Sequence, residues 1–338
     1  MSSPQNDFLP FAAAPGANVL SQSAYAASSA VNTGFQAGVA QSAALNKVWR
    51  QGSIIAAVVA QFIADCTGQN VIDDGTTAAV LANLKQAVAN QSIDVVGSMR
   101  NAKMNVSTAS ASATFTADQI IVGTALNGFR YSVASYSENI NLATTGAGGM
   151  DTGTAPVSGF VALYAIYNPT SGTASILATN ATSSAAPTIY GGANMPSGYT
   201  ASALIGIWPT NGTKQFVTGI QRDRSFGGKG AIAFTTTTQE STPTAVSISS
   251  LAPLNAVSCL GVMILANTTA NTGNSCSINS DANTSGQQSF GTYIASANGS
   301  VTSPFSGLLF STPQTIYYTL NTNAGTVTLS VAINGYSF

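Results

Sequence analysis

Any chemistry in this chain has to be done without histidine, because none of its 338 residues is one. That absence removes Ser–His–Asp and Cys–His nucleophilic systems, the usual zinc sites and the commonest general base. Carboxylates remain. Hydrolysis of a glycosidic bond needs two of them about 5–10 Å apart. Glu138 with Asp151 and Glu240 with Asp281 are the candidate within-domain pairs that include a glutamate. Neither pair lies in a recognisable motif, so surface or turn-capping roles are the expectation for all four. Asp73-Asp74-Gly75 lacks the alternating oxygen ligands of a calcium loop. The glycines form neither a dinucleotide fingerprint nor a P-loop. Gln221-Arg222-Asp223-Arg224, the densest charge cluster, reads as a solvated strand end at a domain boundary. Cys66, Cys259 and Cys276 are odd in number and form no CxxC pair, which suits buried reduced thiols. A Cys259–Cys276 bridge stays sterically open. No catalytic, metal-binding or cofactor-binding residue is assigned, and the expectation is a protein that is not an enzyme. A polysaccharide depolymerase is the sharpest enzymatic alternative.

Recognition is the chemistry left. Phe290, Tyr293, Phe305, Phe310, Tyr317, Tyr318, Tyr336 and Phe338 stand in a C-terminal stretch rich in Asn, Ser and Thr. From Ala231 to Phe338 that stretch carries two acids, Glu240 and Asp281, and no Lys or Arg. Aromatic faces with amides and hydroxyls beside them suit neutral sugar rings, since tyrosine supplies apolar area and a polar handle together. Phe290, Tyr293, Tyr317, Tyr318 and Tyr336 are therefore the receptor-binding candidates, against the plainer expectation that most aromatics fill the core.

Several kinds of element must position these residues. Residues 1–34 read as extended, broken by Pro10, Pro15 and Gly16. From Phe35, apolar residues recur at helical spacing: Val39, Ala43, Leu45, Val48, Trp49, Ile55, Val58, Val59, Phe62 and Ile63. Gly52 weakens that run, and Thr67-Gly68 ends it. A second helix is expected from a Thr76 or Thr77 cap, with Val80, Leu81, Leu84 and Val88 on one face. Residues 91–108 read as a linker. Short β-type runs follow at Phe115–Val122, Gly128–Tyr136, Phe160–Tyr167, Ala174–Thr179, Ala203–Trp208 and Gln215–Gln221, punctuated by Asn127-Gly128, Ser171-Gly172 and Asn211-Gly212. Phe160–Tyr167 is apolar on both alternating faces, as a strand covered on both sides would be. A glycine cluster at Gly227-Gly228 and Gly230 marks a second β region, with runs at Val257–Leu265, Gln288–Ser296, Gln314–Leu320 and Thr326–Ile333. The expected organisation is 1–90 extended and helical, 91–108 linker, 109–226 a middle β-sandwich and 227–338 a C-terminal β-sandwich.

Charged residues make up only 6% of the chain, against about 25% ordinarily. A net charge of −1 offers no footprint for nucleic acid. The apolar run Ile54–Ala64 is shorter than the roughly 20 residues a bilayer span needs, so no membrane insertion is expected. The opening MSSPQNDFLPF has neither the basic nor the apolar region of a secretory leader. Neutral polar surfaces repel one another little, which a closed oligomer would answer by burying excess apolar area.

Two stretches resemble tail-fibre proteins of phages and prophages of Gram-negative bacteria. The first is NVLSQSAYAASSAVNTGFQAGVAQSAALNKVWRQGSIIAAVVAQFIADCTGQNVIDDGTTAAVLANLKQAV, Asn18 to Val88, which is similar to the region by which such fibres attach to the tail or baseplate. The second is VALYAIYNPTSGTASILATNATSSAAPTIYGGANMPSGYTASALIGIWPTN, Val161 to Asn211, which resembles a β-domain in the middle of many of these fibres. With their connector they cover Asn18 to Arg224; the C-terminal part resembles no family. The resemblance implies an elongated, mainly β homotrimer with its N-terminus on other tail proteins of the virion and its C-terminus outward. It further implies assembly in the bacterial cytoplasm and binding of a host-cell surface glycan, lipopolysaccharide or outer-membrane protein. Phe35, Val48, Trp49, Arg50, Ile55 and Phe62 are the candidates for virion attachment and self-association. A purely structural collar or adaptor fibre is the alternative of a different class.

Overall fold

A computed structural model describes residues 4–39, 41–90 and 94–338. The stretch expected to be extended holds two one-turn helices, α1 (Gln22–Ala26) and α2 (Ala30–Thr33). Ser21 caps α1, its Oγ accepting the Ala24 amide at 3.1 Å. Helices this short show no hydrophobic period, which is why the sequence hides them.

The long periodic run forms α3 (Ser42–Thr67), continuous through Gly52. It stops at Gly68, whose φ of 70° is the left-handed C-cap geometry that glycine adopts freely. The second helix, α4, spans Ala78–Asn90. Ala60, Ile63, Ala64 and Cys66 of α3 meet Val71 and Ala87, with Phe8, Val80 and Leu84 packed alongside. Leu81 and Val88 are exposed, so the packed face of α4 is Val80, Leu84 and Ala87 and not the whole set expected. The N-terminal segment runs along α3. Asn6 Nδ2 donates to the Ala57 carbonyl at 3.1 Å, the Phe11 amide to Ser53 Oγ at 2.8 Å, and Asn18 Nδ2 to Ser42 Oγ at 2.9 Å. These elements make one compact unit, Met1–Ile93, and residues 94–338 make the other.

The second unit is mainly β. Its strands begin inside the expected linker, at β1 (Met99–Arg100) and β2 (Lys103–Val106). Alternating burial in β2, with Met104 and Val106 inward, ties this stretch into the core. Residues 91–93 of that linker lie outside the described residues. Next come β3 (Ser112–Gly123), β4 (Arg130–Asn141), β5 (Phe160–Asn168), β6 (Thr173–Asn180), β7 (Ala201–Pro209) and β8 (Gly219–Arg222). The Asn127-Gly128 and Ser171-Gly172 signals fall in the β3–β4 and β5–β6 hairpins. Every residue from Phe160 to Ile166 is buried, as the doubly apolar pattern of β5 requires.

The last eight strands are β9 (Ser225–Thr236), β10 (Glu240–Ser247), β11 (Ser258–Asn267), β12 (Thr272–Asn279), β13 (Gln288–Ile294), β14 (Gly299–Leu309), β15 (Thr315–Thr322) and β16 (Val327–Ser337). They fall into two antiparallel layers, β14-β11-β16-β9 and β10-β15-β12-β13. In chain order they switch layer at every step except β12 to β13. That winding is an eight-stranded jelly roll.

The expected boundary at Gly227 falls inside β9. The first layer continues through β9 and β8 into β2, β3, β7, β5 and β6, giving one twelve-stranded sheet. Across the junction Phe226 stacks on Tyr336 with ring centroids 5.0 Å apart and meets Trp208 edge-on at 4.8 Å. Tyr336 also meets Phe160 and donates to the Ile207 carbonyl at 2.9 Å. Rings from β5, β7, β9 and β16 thus share one core, and 94–338 forms a single unit. Two of the glycines that looked like a boundary serve close packing instead. A Cβ on Gly228 would lie 3.0 Å from the Phe226 ring, and one on Gly230 only 2.3 Å from Asn334 Oδ1, while Gly227 faces open space.

Candidate functional site

The charged cluster at 221–224 is a solvated strand end only in part: Arg222 and Asp223 are exposed at the end of β8, whereas Gln221 and Arg224 turn inward. Gln221 is fully buried, and its Nε2 donates to the Ile205 carbonyl at 2.6 Å and the Asp223 carbonyl at 2.7 Å. Asp223 Oδ1 accepts the Ala102 amide at 3.0 Å. Arg224 donates to the Gly97 and Leu204 carbonyls and lies over the Phe338 ring, 5.7 Å from its centre. Burial lowers the Arg224 pKa from its ordinary value. The cluster clamps the first strands of the unit to its last residue.

The carboxylate pairs are occupied in turns and strands. Asp281 Oδ1 accepts the Asn283 amide at 2.8 Å and the Ser285 amide at 2.9 Å; the Ser285 bonds hold the carboxyl below its usual range. Asp151 accepts the Tyr190 hydroxyl at 2.9 Å and the Thr152 amide at 2.8 Å. Glu138 stands on β4, its pKa raised by partial burial. Among the described residues no three Asp, Glu, Cys or His side chains gather where they could hold a metal ion. No helix among them is long and apolar enough to cross a membrane. All three cysteines are buried and in no disulfide; burial pushes Cys259 and Cys276 up to about 12.

Two surfaces remain, one in each unit. In the helical unit, Val48, Ile55 and Phe62 recur every seven residues on α3, with Val58 and Val59 beside them, and all five are exposed. Ile55 is 64% exposed and Val58 60%. This face lies apart from the one packed on Val71 and Ala87, so α3 carries two apolar faces, one covered and one exposed, while Arg50, Gln61 and Asp65 add polar surface. Trp49 points elsewhere and meets Phe11 edge-on at 5.7 Å. Arg50 is half-buried on α3, and Phe35 is exposed between α2 and α3.

In the β unit, the five aromatic candidates separate by strand parity. Tyr336 is 1% exposed and belongs to the shared core, and Tyr318 is buried against Phe234. Phe290 turns inward and packs against the core. These three are corrected to structural roles. Tyr293 and Tyr317 point outward from the four-stranded layer, and Tyr293 is 62% exposed.

Antiparallel register builds a surface around Tyr293. Gly291, Ser275 and Asn321 lie side by side across β13, β12 and β15. In the next row Tyr293 pairs with Gly273, whose amide donates to Asn323 Oδ1 at 2.9 Å while its carbonyl accepts the Asn323 amide at 3.2 Å. The two rows line a shallow hollow of about 520 Å³. Its walls are the Tyr293 ring and the asparagine amides; its floor is bare backbone at Gly273 and Gly291. Ser275, Asn321 and Asn323 carried no signal in a single sequence, because each is one of many Ser and Asn residues here. Only the strand register gathers them.

No protein-family model matches the chain, and no curated protein matches it. Among solved structures it is similar to infectious bursal disease virus, in the T13 viral particle and in the Gt strain, at 11% identity in both. Each match covers 72% of this chain, and 71% and 68% of the respective viral chains. The TM-score is 0.19 in both cases, too low to carry fold or function across.

Proposed function

We propose that the chain is a phage tail-fibre subunit. It self-associates as a homotrimer and docks on other tail proteins through residues 1–90, and its β unit binds a host-cell surface glycan or outer-membrane protein. Its work on this reading is adhesion in the virion, without catalysis. The observation that carries it is the second apolar face of α3. A contiguous exposed apolar stripe marks an interaction surface, and Val48, Ile55, Val58, Val59 and Phe62 form one on α3. The Asn18–Val88 resemblance to virion-attachment regions gives that face a purpose. The outward surface of β12, β13 and β15 supplies the complementary role, being neutral, polar and aromatic.

The test uses the full chain. Sedimentation equilibrium reports its mass, and binding to Gram-negative cells is scored by competition with phage adsorption. A threefold mass with saturable competition is the expected result. A threefold mass without cell binding would favour the collar or adaptor reading. A single-chain mass would remove the basis of the proposal. New reducing ends released from host polysaccharide would instead point to a depolymerase.

A further inference from the structure

We infer that the hollow between Tyr293 and Asn323 is a binding subsite for one uncharged pyranose ring at an exposed end or branch of a host glycan. The inference rests on the receptor-binding reading above and adds to it a site and a ligand class.

Shape comes first. Tyr293 and Asn323 stand on strands two spacings apart, about 10 Å, with Gly273 between them. Glycine there and at Gly291 leaves a flat floor wide enough for a six-membered ring laid against the tyrosine. Neither glycine is demanded by the fold. Both lack a left-handed φ, and a Cβ would come no nearer than 3.7 Å to anything at Gly273 or 3.9 Å at Gly291. Strands ordinarily favour β-branched residues at such positions. Two glycines on adjacent strands, facing the same way with open space above, keep that space open.

Polar chemistry comes second. The side chains of Ser275, Tyr293 and Asn321 point outward and have no hydrogen-bond partner among the described residues, whereas most neighbouring amides are engaged. Asn323 is held by the Gly273 amide through its oxygen, which leaves its Nδ2 hydrogens to donate. An aromatic face for ring C–H groups, with fixed donors and acceptors at the rim, matches the amphipathic surface of a sugar. Holding Asn323 in place beforehand lowers the entropy lost on binding.

Charge decides the ligand class. The two formal charges between Ala231 and Phe338 are both negative. A sialate, uronate or phosphate would find no counter-ion here, so the ring bound is neutral. A single shallow subsite binds weakly, and three copies in an assembly raise the avidity.

The experiment applies the full-length chain and three variants, Tyr293→Ala, Asn321→Ala and Gly291→Val, to an array of neutral and carboxylate-bearing bacterial glycans. Melting temperature and adsorption competition are measured alongside. The expected result is binding confined to neutral glycans and at least tenfold weaker in each variant, with the melting temperature of Gly291→Val unchanged or higher. Neutral-glycan binding that survives all three substitutions would overturn the subsite, as would a preference for anionic glycans. If no glycan binds but the wild-type chain still blocks adsorption, the subsite falls and the receptor-binding reading stands. If adsorption is not blocked either, both fall.

Discussion

Helix α3 and strand β5 each carry two apolar faces, yet only β5 has both of them covered. Strand β5 has β6 and β7 at its edges and the shared core across its faces, all from its own chain. Helix α3 has its N-terminal segment and α4 on one face, and among the described residues its other apolar face stays exposed. The contrast separates two kinds of hydrophobic pattern. One is a core that closes within the chain; the other is an apolar stripe left open to solvent.

If the contrast holds, damage to the two regions reads out differently. The largest effect is expected from Ile55→Glu. It sets a charge in the bare face of α3, where a packed neighbour would have to bury it unpaired. Sedimentation should show the assembly reduced to single chains. Stability of the chain itself should shift by no more than about 0.5 kcal/mol, as for surface changes generally. An unchanged mass would mean that α3 is bare in the assembly too.

Tyr336→Ala should act in the opposite way, removing about 3–5 kcal/mol from the β unit while leaving self-association intact. Urea denaturation followed by tryptophan fluorescence reports it, because Trp208 lies in the same aromatic cluster. A loss below about 1 kcal/mol would argue against a core shared by both halves.

Asn267→Ala is a smaller test of closure. The buried Asn267 amide donates to Asn274 Oδ1 at 2.8 Å, Thr322 Oγ1 at 3.1 Å and the Ala324 carbonyl at 3.0 Å. Leaving the buried Asn274 Oδ1 without its donor, while Thr322 Oγ1 still donates to the Ala324 carbonyl at 2.8 Å, should cost about 1–3 kcal/mol, read from the same urea midpoint.

The mildest expectation concerns pH. Without histidine, stability should be nearly flat from about pH 5 to 8. Burial raises the Cys259 and Cys276 thiols from 9.0 to about 12, and the phenols of Tyr136 and Tyr336 also move upward. The unfolded chain ionises these groups first, so their stabilising contribution is complete below pH 9 and declines towards pH 12. A urea midpoint for the β unit that stays constant to pH 11 would contradict this.

Sequence pattern made α3, α4 and most long strands legible, because each repeats at its own period over enough residues to be seen. Strands β1, β2, β9, β10, β12 and β14 were not, being short, glycine-rich, or built largely from Ser, Thr, Asn and Pro with little apolar contrast between faces. The aromatic site was half legible. Alternation in Ile316-Tyr317-Tyr318-Thr319-Leu320 sends Tyr318 inward with its apolar neighbours and Tyr317 outward. The same rule misplaces Tyr336. Val327, Leu329, Val331 and Ile333 face inward, which by parity sends Tyr336 outward. A register shift between Ile333 and Gly335 reverses the parity and buries the ring. A bulge depends on the partner strand, and one strand's sequence does not announce it.

Strand β9 also bears on how such a protein could exchange parts with its relatives. A crossover at Gly227 would join Phe226 to a foreign last strand, leaving it no ring to stack on and the Ile207 carbonyl no phenol. A crossover ahead of β1, near residues 94–98, carries the whole aromatic stack across together. The shared aromatic core therefore makes 94–338 one exchangeable piece. Finer change falls to point substitutions on the outward face of β12, β13 and β15, where the core is not disturbed.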